Sequence, residues 1–539
     1  MKLSYLLRLV TCCILCLGAG CGDQEKGSKN RPNIVFLFAD DWGKYASIYD
    51  KYEKGHKINS VIETPNFDRI ARDGALFLNA FVPAPSCTPC RSSILSGQYF
   101  YRTEMGAILH GAQWDPTIPS YPLLLEENGY HIGYTYKVWS PGTPVDAPYG
   151  GKRVQYQSAG NNFNRFSQTV MPADDRAAAK DSLFKEVADN FKSFLSDNKQ
   201  DAPYCYWFGP TNTHRSWVKG SGKELWGLDP DNLKGKLPTF LNDNAEIRED
   251  FNDYLGEVKA WDRAVGVILG ILEERGELDN TLMVISGDHG IPGFPRAKTN
   301  LYDFGTEVAL AMYWPDHIKK GTVINDLVNL MDLAPTFLEV GNTPIPEVMT
   351  GNSLVPLLKN GTGKIKRDFV VTGRERHVAQ ARSKNLPYPQ RAFRTADYLY
   401  IRNLTPDRWP IGTLKNGLRD IDDGPTKAWY IKKYDSIKDL QIWDIAFGKR
   451  PYEELYAIRK DPYQVNNLAS KEKYSEIKCL LSKQLDSVLM TTGDPRMTKD
   501  PGYFDRMPFT GINNANSDQH TKISQQVNHL YQQHRKEHQ

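Results

Sequence analysis

Two cysteines stand three residues apart in a stretch that could carry nucleophilic or redox chemistry. The stretch reads Ser86-Cys87-Thr88-Pro89-Cys90-Arg91-Ser92-Ser93-Ile94-Leu95-Ser96-Gly97. A Cys-x-x-Cys pair at the start of a helix is one setting in which a thiol becomes a reactive thiolate. A zinc site would need two further thiol or imidazole ligands at close spacing, and none is evident. The pattern leaves open a redox pair and a catalytic cysteine with a neighbouring arginine.

Two acidic dipeptides follow apolar runs elsewhere in the chain. Asp40-Asp41 comes after the run at 33–39, and Asp288-His289 comes shortly after the run at 282–286. Both runs have the length and composition of buried parallel strands, and ligands of such sheets bind beyond the carboxyl ends of the strands. The two dipeptides could therefore meet around one cation, which would offset the repulsion between adjacent carboxylates. On its own, Asp40-Asp41 would be better interpreted as two solvated loop acids.

The elements that must position these residues alternate between strands and helices. Strands are predicted at 33–39, 204–208, 282–286 and 308–312, and helices at 66–76, 122–128, 181–195 and 249–274. This alternation predicts an α/β domain with a parallel or mixed sheet covered by helices on both faces. We assign it to residues 32–365.

The sequence pattern changes near residue 366. From there on, β-rich runs alternate with loops that contain proline and glycine. Runs at 369–372 and 398–402 read as strands, and a late helix is predicted at 471–489. We expect a smaller C-terminal α+β domain at 366–493 and a polar tail at 494–539.

The N-terminus has the pattern of an export signal. Lys2 and Arg8 flank the start of an apolar run at 9–17, which is shorter than the roughly 20 residues of a membrane-spanning helix. We predict a signal peptide at 1–20 and a tether at 21–31. Cys21 follows three small residues, which resembles a bacterial lipoprotein signal; a plain secretory signal cleaved nearby is the alternative. The expected location is the periplasm of a Gram-negative bacterium, or its membrane through a lipid anchor on Cys21 alone.

Composition excludes several other classes. With 40% hydrophobic residues and 67 basic against 64 acidic side chains, the chain is neither disordered nor basic enough to suggest a nucleic-acid partner. Four of the eight cysteines belong to the predicted signal peptide and the lipidation position that follows it, at 12, 13, 16 and 21. The remaining four are too few for a disulfide scaffold in a chain of this size.

The cysteine stretch at 86–97 resembles the signature of type I sulfatases, Cys-x-Pro-x-Arg followed by Leu-x-Gly. The resemblance extends over most of the first 360 residues. It implies an alkaline-phosphatase-like mixed sheet sandwiched by helices. It also implies that a formylglycine-generating enzyme oxidises Cys87 to formylglycine (3-oxoalanine) before folding. One oxygen of the hydrated aldehyde would attack sulfur, and the other would then collapse to the aldehyde and expel sulfate.

The resemblance also assigns roles to residues. The positions that match catalytic residues are Cys87, Arg91, Lys137, His214 and Lys298, and those that match calcium ligands are Asp40, Asp41, Cys87, Asp288 and His289. Cations at Lys137 and Lys298 would offset charge on the sulfuryl oxygens. His289 stands where many members have Asn, and imidazole is not a preferred ligand of Ca²⁺.

Within the family, several segments resemble heparan N-sulfatase (sulfamidase) and its bacterial relatives. They are Phe208-Gly209-Pro210, His214-Arg215, Ser286-Gly287-Asp288-His289-Gly290-Ile291-Pro292 and Thr299-Asn300-Leu301-Tyr302. The implied partner is a sulfated carbohydrate. An N-sulfate of heparan-type glucosamine and an O-sulfate ester of a marine polysaccharide such as ulvan both remain open.

The segment 373–394 is rich in cationic side chains that could reach an anionic saccharide. From it we predict four substrate-binding residues: Arg374, His377, Arg391 and Arg394. A solvated charge run is the alternative for most of them.

Two other functions compete with a sulfatase. A metal phosphatase or phosphodiesterase of the same superfamily would usually hold two zinc ions with additional Asp and His ligands. Apart from Asp288-His289, no such set is evident. A non-catalytic glycan-binding surface lipoprotein would have no use for Cys87, Arg91, Lys137 and Lys298 together.

One residue departs from the family pattern. Sulfatases commonly have His two residues after the lysine that matches Lys137, and this chain has Trp139. Indole cannot accept a proton at neutral pH, so Trp139 cannot be a general base. We hypothesise that His110 or His131 approaches the site in its place; the alternative is that Trp139 stacks on the substrate ring and neither histidine is close.

Overall fold

The computed structural model describes residues 31–53, 57–144, 146–360, 367–438 and 441–508. The predicted signal peptide at 1–20, Cys21, all but the last residue of the tether and the tail beyond residue 508 lie outside the described residues. Within the described ranges, no helix is long and apolar enough to cross a membrane.

A seven-stranded sheet forms the centre of the first domain. Its strands follow the order β3-β4-β1-β5-β6-β2-β7. Their bounds are β1 Asn33–Ala39, β2 Ala75–Phe81, β3 His131–Tyr136, β4 Tyr204–Gly209, β5 Thr281–Gly287, β6 Glu307–Tyr313 and β7 Thr322–Asn329. Strand β6 runs antiparallel to β5 and β2, whereas the other neighbours are parallel. The predicted mixed sheet is confirmed.

The register of the strands places the acidic dipeptides side by side. β1 and β5 pair without a shift from Asn33 opposite Thr281 to Ala39 opposite Gly287. Asp40 and Asp288 therefore leave neighbouring parallel strands at the same level. β3 pairs with β4 up to Tyr136, so the chain emerges at this same edge of the sheet with Lys137.

Helices cover both faces of the large sheet. The α-helices are α1 Pro65–Asp73, α2 Cys87–Ser96, α3 Tyr121–Glu127, α4 Phe166–Val170, α5 Arg176–Asp197, α6 Ser221–Trp226, α7 Ala245–Glu274, α8 Asp303–Thr306, α9 Leu333–Val340, α10 Val355–Asn360, α11 Pro425–Ile437, α12 Gln441–Phe447, α13 Ser475–Thr491 and α14 Pro495–Thr498. Helices α2 and α3 pack with α9, and the long helix α7 packs with α1, α5, α6 and α11.

Strand β1 explains why the first apolar run is continuous. Its alternate side chains enter two different hydrophobic cores, Ile34, Phe36 and Phe38 on one face and Val35, Leu37 and Ala39 on the other. A central parallel strand covered on both faces needs apolar residues at every position. The run ends at Ala39, and the buried carboxylates Asp40 and Asp41 follow it.

A four-stranded antiparallel sheet forms the core of the second domain. The strands are β8 Phe369–Arg374, β9 Gln390–Thr395, β10 Tyr398–Asn403 and β11 Glu453–Ala457, in the order β11-β10-β9-β8. Helix α13 packs against β9 and β10. This arrangement matches the predicted smaller α+β domain.

Most observed elements differ from the predicted bounds by one to five residues, and the difference at α1 has an identifiable structural cause. The helix predicted at 66–76 ends at Asp73, and β2 begins at Ala75 after a turn at Gly74. A Cβ at Gly74 would lie 2.1 Å from the carbonyl oxygen of Met312, so glycine permits this close approach to β6. The described part of the predicted tail also packs against the second domain, since Asp494 accepts a hydrogen bond from Arg391 and Phe504 is buried.

Candidate active site

The end of β1 carries two buried carboxylates in a fixed geometry. The Asp40 amide donates to the Pro210 carbonyl at 3.0 Å, and the Asp41 amide donates to Asp288 Oδ1 at 2.7 Å. Asp41 has a φ of 56°, in the left-handed region that Asp tolerates better than most residues. This turn ends the strand and brings Asp41 and Asp288 together.

Helix α2 places the thiol of Cys87 against these carboxylates. Cys87 is the first residue of the helix and is 3% exposed. Its Sγ lies 3.4 Å from His289 Nε2 and 3.9 Å from Asp41 Oδ1. All residues of α2 are buried, so packing on every side fixes the position of its first turn. The structure thus joins the cysteine motif and the acidic dipeptides, which are distant in sequence.

Arg91 lies one turn further along α2, on the same face as Cys87. Its Nε donates to Asp288 Oδ2 at 2.9 Å and its Nη2 to Asp40 Oδ1 at 3.0 Å. Its Nη1 donates to the carbonyls of Lys137 and Val138 at 3.3 and 3.1 Å. The fully buried guanidinium therefore links α2 to the ends of β1, β5 and β3.

Two lysines also contact the carboxylates. Lys137 Nζ donates to both oxygens of Asp40 at 2.7 and 2.8 Å. Lys298 Nζ donates to Asp41 Oδ2 at 3.0 Å. Both sequence-predicted lysines are thus brought to the cluster, one after β3 and one from the loop before α8.

His214 lies at the edge of the cluster and is partly exposed. Its Nε2 is 3.8 Å from Asp41 Oδ2, and its Nδ1 is 2.5 Å from the carbonyl oxygen of Arg215. A carbonyl can only accept a hydrogen bond, so the proton of the neutral ring is on Nδ1 and the lone pair is on Nε2. Burial lowers the pKa of His214, which favours this neutral form.

Burial and neighbouring charges act in opposite directions on the carboxylates. For Asp40, burial raises the pKa, but Lys137 and Arg91 together hold it well below its usual value. For Asp41, burial raises the pKa to about 7, because Lys298 and His289 offset only part of that effect. Asp41 is therefore a carboxylate that a further cation would stabilise in its ionised form.

The donor set around Asp41 fits a metal ion. Ligand atoms of Asp41, Cys87, Asp288 and His289 lie within 4.8 Å of one another. An overlapping group contains Asp40, Asp41 and His214, so among the residues with assigned positions the candidate groups share Asp41 and indicate one cation position. The carboxylates suit a hard divalent cation, whereas the imidazole of His289 suits a softer one.

The same geometry argues against a redox pair. Cys87 and Cys90 are both free and buried, and burial raises the pKa of each thiol well above its usual value. A redox-active pair needs an accessible cysteine of lowered pKa. The structure provides the opposite environment.

Three of the four residues predicted to bind substrate form buried ion pairs instead. Arg374 pairs with Asp420 at 2.5 Å, Arg391 with Glu375 at 2.8 Å and Asp494 at 2.6 Å, and Arg394 with Asp303 at 2.9 Å. The prediction read a dense arginine segment as a substrate surface. Their carboxylate partners come from distant parts of the chain, and the contacts give the arginines a role in holding the fold together.

The fourth, His377, lies next to the cysteine helix. Its Nδ1 is 2.7 Å from Ser86 Oγ, and the residue is buried. Burial lowers the pKa of His377 well below its usual value, so the ring is neutral. It supports the residue that precedes Cys87.

Sequence reasoning missed Asp422, which the second domain brings to the cluster. Its Oδ2 lies 3.2 Å from Lys298 Nζ, and its side chain is 24% exposed. Burial raises the pKa of Asp422, but Lys298 and His214 lower it by a larger amount. The net result is a pKa below the usual value of an aspartate. The sequence signal was weak, because Asp422 sits in the acidic run Asp420-Ile421-Asp422-Asp423 without a motif around it.

The structure shows where the two histidines considered as a replacement base lie, and where Trp139 lies. His131 begins β3 and stacks on Phe194 at 4.7 Å, at the opposite end of the strand from Lys137, so the hypothesis that it approaches the site is wrong. His110 Nδ1 accepts from the Ala379 amide at 3.3 Å, in the second domain. Trp139 is fully buried against Trp114 and donates to the Pro144 carbonyl, so it cannot stack on a substrate ring.

Comparison with known proteins gives consistent matches. The family model described as Sulfatase matches residues 32–343, and the model described as N-sulphoglucosamine sulphohydrolase, C-terminal, matches residues 288–416. The chain is 27% identical over 481 residues to an ulvan-active sulfatase of Formosa agariphila, covering 88% of this chain and 82% of that protein. It is 28% identical over 516 residues to the N-sulphoglucosamine sulphohydrolase of Homo sapiens, covering 90% and 94%.

A solved structure supports the fold. A protein in complex with its substrate D-glucosamine-2-N,6-O-disulfate superposes with a TM-score of 0.59 at 18% identity, covering 86% of this chain and 98% of that one. At this identity the likeness concerns the fold alone, and it agrees with the predicted alkaline-phosphatase-like architecture.

Proposed function

The chain belongs to the sulfatase family, and on that premise we propose that it removes sulfate groups from a sulfated saccharide by using Cys87 in its formylglycine form. One observation carries the proposal. Cys87 opens the buried helix α2 within contact distance of His289 and Asp41, while Arg91 on the next turn binds Asp40 and Asp288. A thiol that served only to pack the core would not need this surrounding of charges.

The hydrated aldehyde of formylglycine would supply the nucleophilic oxygen in place of the thiol. The surrounding residues are arranged to hold an anion in front of it. Lys137 and Lys298 approach the cluster from β3 and from the loop before α8, and both keep raised pKa values because burial is outweighed by neighbouring carboxylates. They remain cationic at neutral pH and would bind sulfuryl oxygens.

His214 is the residue placed to handle a proton on the leaving group. Its Nδ1 is held by the Arg215 carbonyl, which leaves Nε2 facing the cluster. Because Nε2 carries the lone pair of the neutral ring, it would first accept the proton of the attacking formylglycine hydroxyl and would then pass it to the departing oxygen or nitrogen. This role does not need a histidine at position 139.

We propose Ca²⁺ as the metal, held by Asp40, Asp41, Asp288 and His289 with the modified side chain of Cys87. The cation would add positive charge where charge develops on the sulfuryl group. The raised pKa of Asp41 supports a resident cation, and the carboxylates favour calcium. His289 is the one ligand that does not favour it.

The substrate class rests on the relatives. One is named for ulvan and another for N-sulphoglucosamine, and both match most of this chain. We propose a sulfated polysaccharide or its oligosaccharides as substrate, carrying either an N-sulfate on glucosamine or an O-sulfate ester.

We also propose export with a lipid anchor on Cys21 and maturation of Cys87 by a formylglycine-generating enzyme. The signal pattern at 1–20 and the intact motif at 87–91 support these two partners. Replacement of Cys21 by Ser should move the protein from the membrane fraction to the soluble periplasmic fraction.

A panel of defined sulfated oligosaccharides tests the function, with released inorganic sulfate as readout. An aryl phosphate and a binding measurement with the uncleaved glycans run beside it. We expect sulfate release from at least one oligosaccharide. Phosphate release without sulfate release would favour a phosphatase, and glycan binding without any release would favour a non-catalytic binder.

A further inference from the structure

An ionised carboxylate faces the region where an anionic substrate must bind. Asp422 Oδ2 lies 3.2 Å from Lys298 Nζ. Lys298 and His214 both lower the pKa of this carboxylate and so favour its ionised form. A carboxylate at this position repels a sulfate group. It also offsets part of the attraction between the sulfate and the Lys298 ammonium group. Such a carboxylate would favour binding of an anionic ligand only if it interacts with a second group of the same ligand.

The loop that carries Asp422 is built to hold it in place. The neighbouring Asp420 carboxylate accepts hydrogen bonds from Arg374 and Arg382 and from the Val378 amide. Its carbonyl accepts from Thr299 Oγ1 at 3.0 Å, one residue from Lys298. These contacts join the loop to the first domain beside Lys298, so Asp422 is not a mobile surface acid.

The Asp422 side chain retains unused hydrogen-bonding capacity. Its buried Oδ2 is ion-paired with Lys298 Nζ at 3.2 Å, and no hydrogen bond to the other oxygen, Oδ1, is described. The side chain is partly exposed, next to the partly exposed His214. Because Oδ2 is buried, Oδ1 is the oxygen that a ligand group could reach from the open side.

We propose that Asp422 is a specificity-determining residue that accepts a hydrogen bond from a hydroxyl or amino group on the sugar carbon adjacent to the sulfated position. The same carboxylate disfavours a sugar that carries a second sulfate at that carbon. The inference rests on the proposed function, because it concerns the ring whose sulfate is released. It restricts the substrate class to saccharides with a hydrogen-bond donor next to the scissile sulfate.

The test uses one oligosaccharide that the wild-type enzyme desulfates, its analogue without the adjacent hydroxyl or amino group, and its analogue sulfated at the adjacent carbon. Wild-type kcat/KM should fall roughly 10- to 100-fold for the analogue without the donor, since Asp422 would be left unpaired. It should fall further for the disulfated analogue. If the wild-type enzyme cleaves all three equally, the proposal is wrong, and this result needs no variant.

The variant Asp422→Asn separates recognition from support of Lys298. We expect its kcat/KM for the parent sugar to fall and its preference over the disulfated analogue to shrink to a few-fold. Asp423→Asn is the matched control, since that side chain is 99% exposed and pairs only with Lys427 among the contacts described. An equal loss on all three substrates would mean that Asp422 only positions Lys298. Absence of sulfate release from every substrate by the wild-type enzyme would instead contradict the proposed function itself.

Discussion

Asp41 is the residue on which the metal account depends. It contacts Cys87, His289 and Lys298, and burial raises its pKa to about 7 although Lys298 and His289 act in the opposite direction. A divalent ion that binds only the native state stabilises the fold by mass action, by about 2.7 kcal/mol at a hundred times its Kd.

We therefore expect a chelator to lower the melting temperature of the wild-type protein and Ca²⁺ to restore it. Asp41→Asn should have a lower melting temperature than wild type even without chelator, and chelator should lower it little further. The measurement is thermal unfolding with and without chelator, and Asp279→Asn at the exposed end of the α7–β5 connection is the control. A wild-type protein whose melting temperature and activity ignore the chelator would rule out the shared metal site.

Arg91 is the residue that neutralises the cluster from inside. It binds two buried carboxylates and two carbonyls, which lysine cannot do with its single ammonium group. Arg91→Ala should lower the free energy of unfolding by about 3–5 kcal/mol, because Asp40 and Asp288 lose a buried partner. Arg91→Lys should lose less, since the charge remains.

Urea unfolding of these two variants beside Arg69→Lys, an exposed arginine on α1, measures the effect. Equal stability of Arg91→Ala and wild type would mean that the carboxylates are compensated in another way.

Sequence reasoning at the residue scale succeeded where chemistry is carried by a contiguous motif. The residues at 87–91 and the dipeptides Asp40-Asp41 and Asp288-His289 could be identified because each follows a strand or opens a helix. Asp422 could not, because its role depends on a contact between two domains. The ion pairs of Arg374, Arg391 and Arg394 could not be foreseen either, since their partners lie from 16 to 103 residues away in the sequence.

At the scale of elements, the loop before α11 is held by ion pairs whose contribution to stability should depend on pH. Burial raises the pKa of Asp420, but Arg382 and Arg374 outweigh it and lower the value from 3.8 to about 2. A carboxylate whose folded-state pKa is depressed contributes stability above its unfolded pKa, and this is lost as pH falls through the folded-state value. The difference corresponds to about 2 kcal/mol, which should disappear between roughly pH 4 and pH 2.

Asp420→Asn should be less stable than wild type at pH 7 by about 3 kcal/mol or more, because two buried guanidinium groups lose their shared partner. The gap should narrow below pH 4, where the wild-type carboxylate is itself protonated. Urea unfolding at pH 7, 4 and 2.5 measures it, with Asp423→Asn as control. A gap that stays constant with pH would contradict the ion-pair explanation.

The predicted elements were most accurate where burial imposes a clear pattern. The strand at 33–39 was predicted with its observed bounds, because both of its faces are covered. Strand β2 was not predicted, and the preceding helix was predicted to extend over its first two residues, because the feature that separates them is the close approach of Gly74 to β6. That approach is a tertiary contact, which periodicity does not reveal.

At the scale of the whole molecule, folding order and catalysis are linked through Cys87. Helix α2 is buried throughout and the Cys87 side chain is almost inaccessible, so a maturation enzyme could not reach it in the folded protein. Under the proposed function, conversion of Cys87 would therefore precede folding. The second domain contributes Asp422 and the Asp420 loop to the site, where they lie beside Lys298 and Thr299.

The most direct measurement of the central claim compares the modification of Cys87 with turnover. Preparations expressed with and without a formylglycine-generating enzyme are analysed by mass spectrometry of the peptide that contains Cys87, and sulfate release is measured on the same samples. Sulfate release per molecule should rise in proportion to the formylglycine fraction, should vanish in Cys87→Ala and should persist in Cys90→Ser. Full activity in a preparation that contains only the unmodified Cys87 thiol would contradict the account.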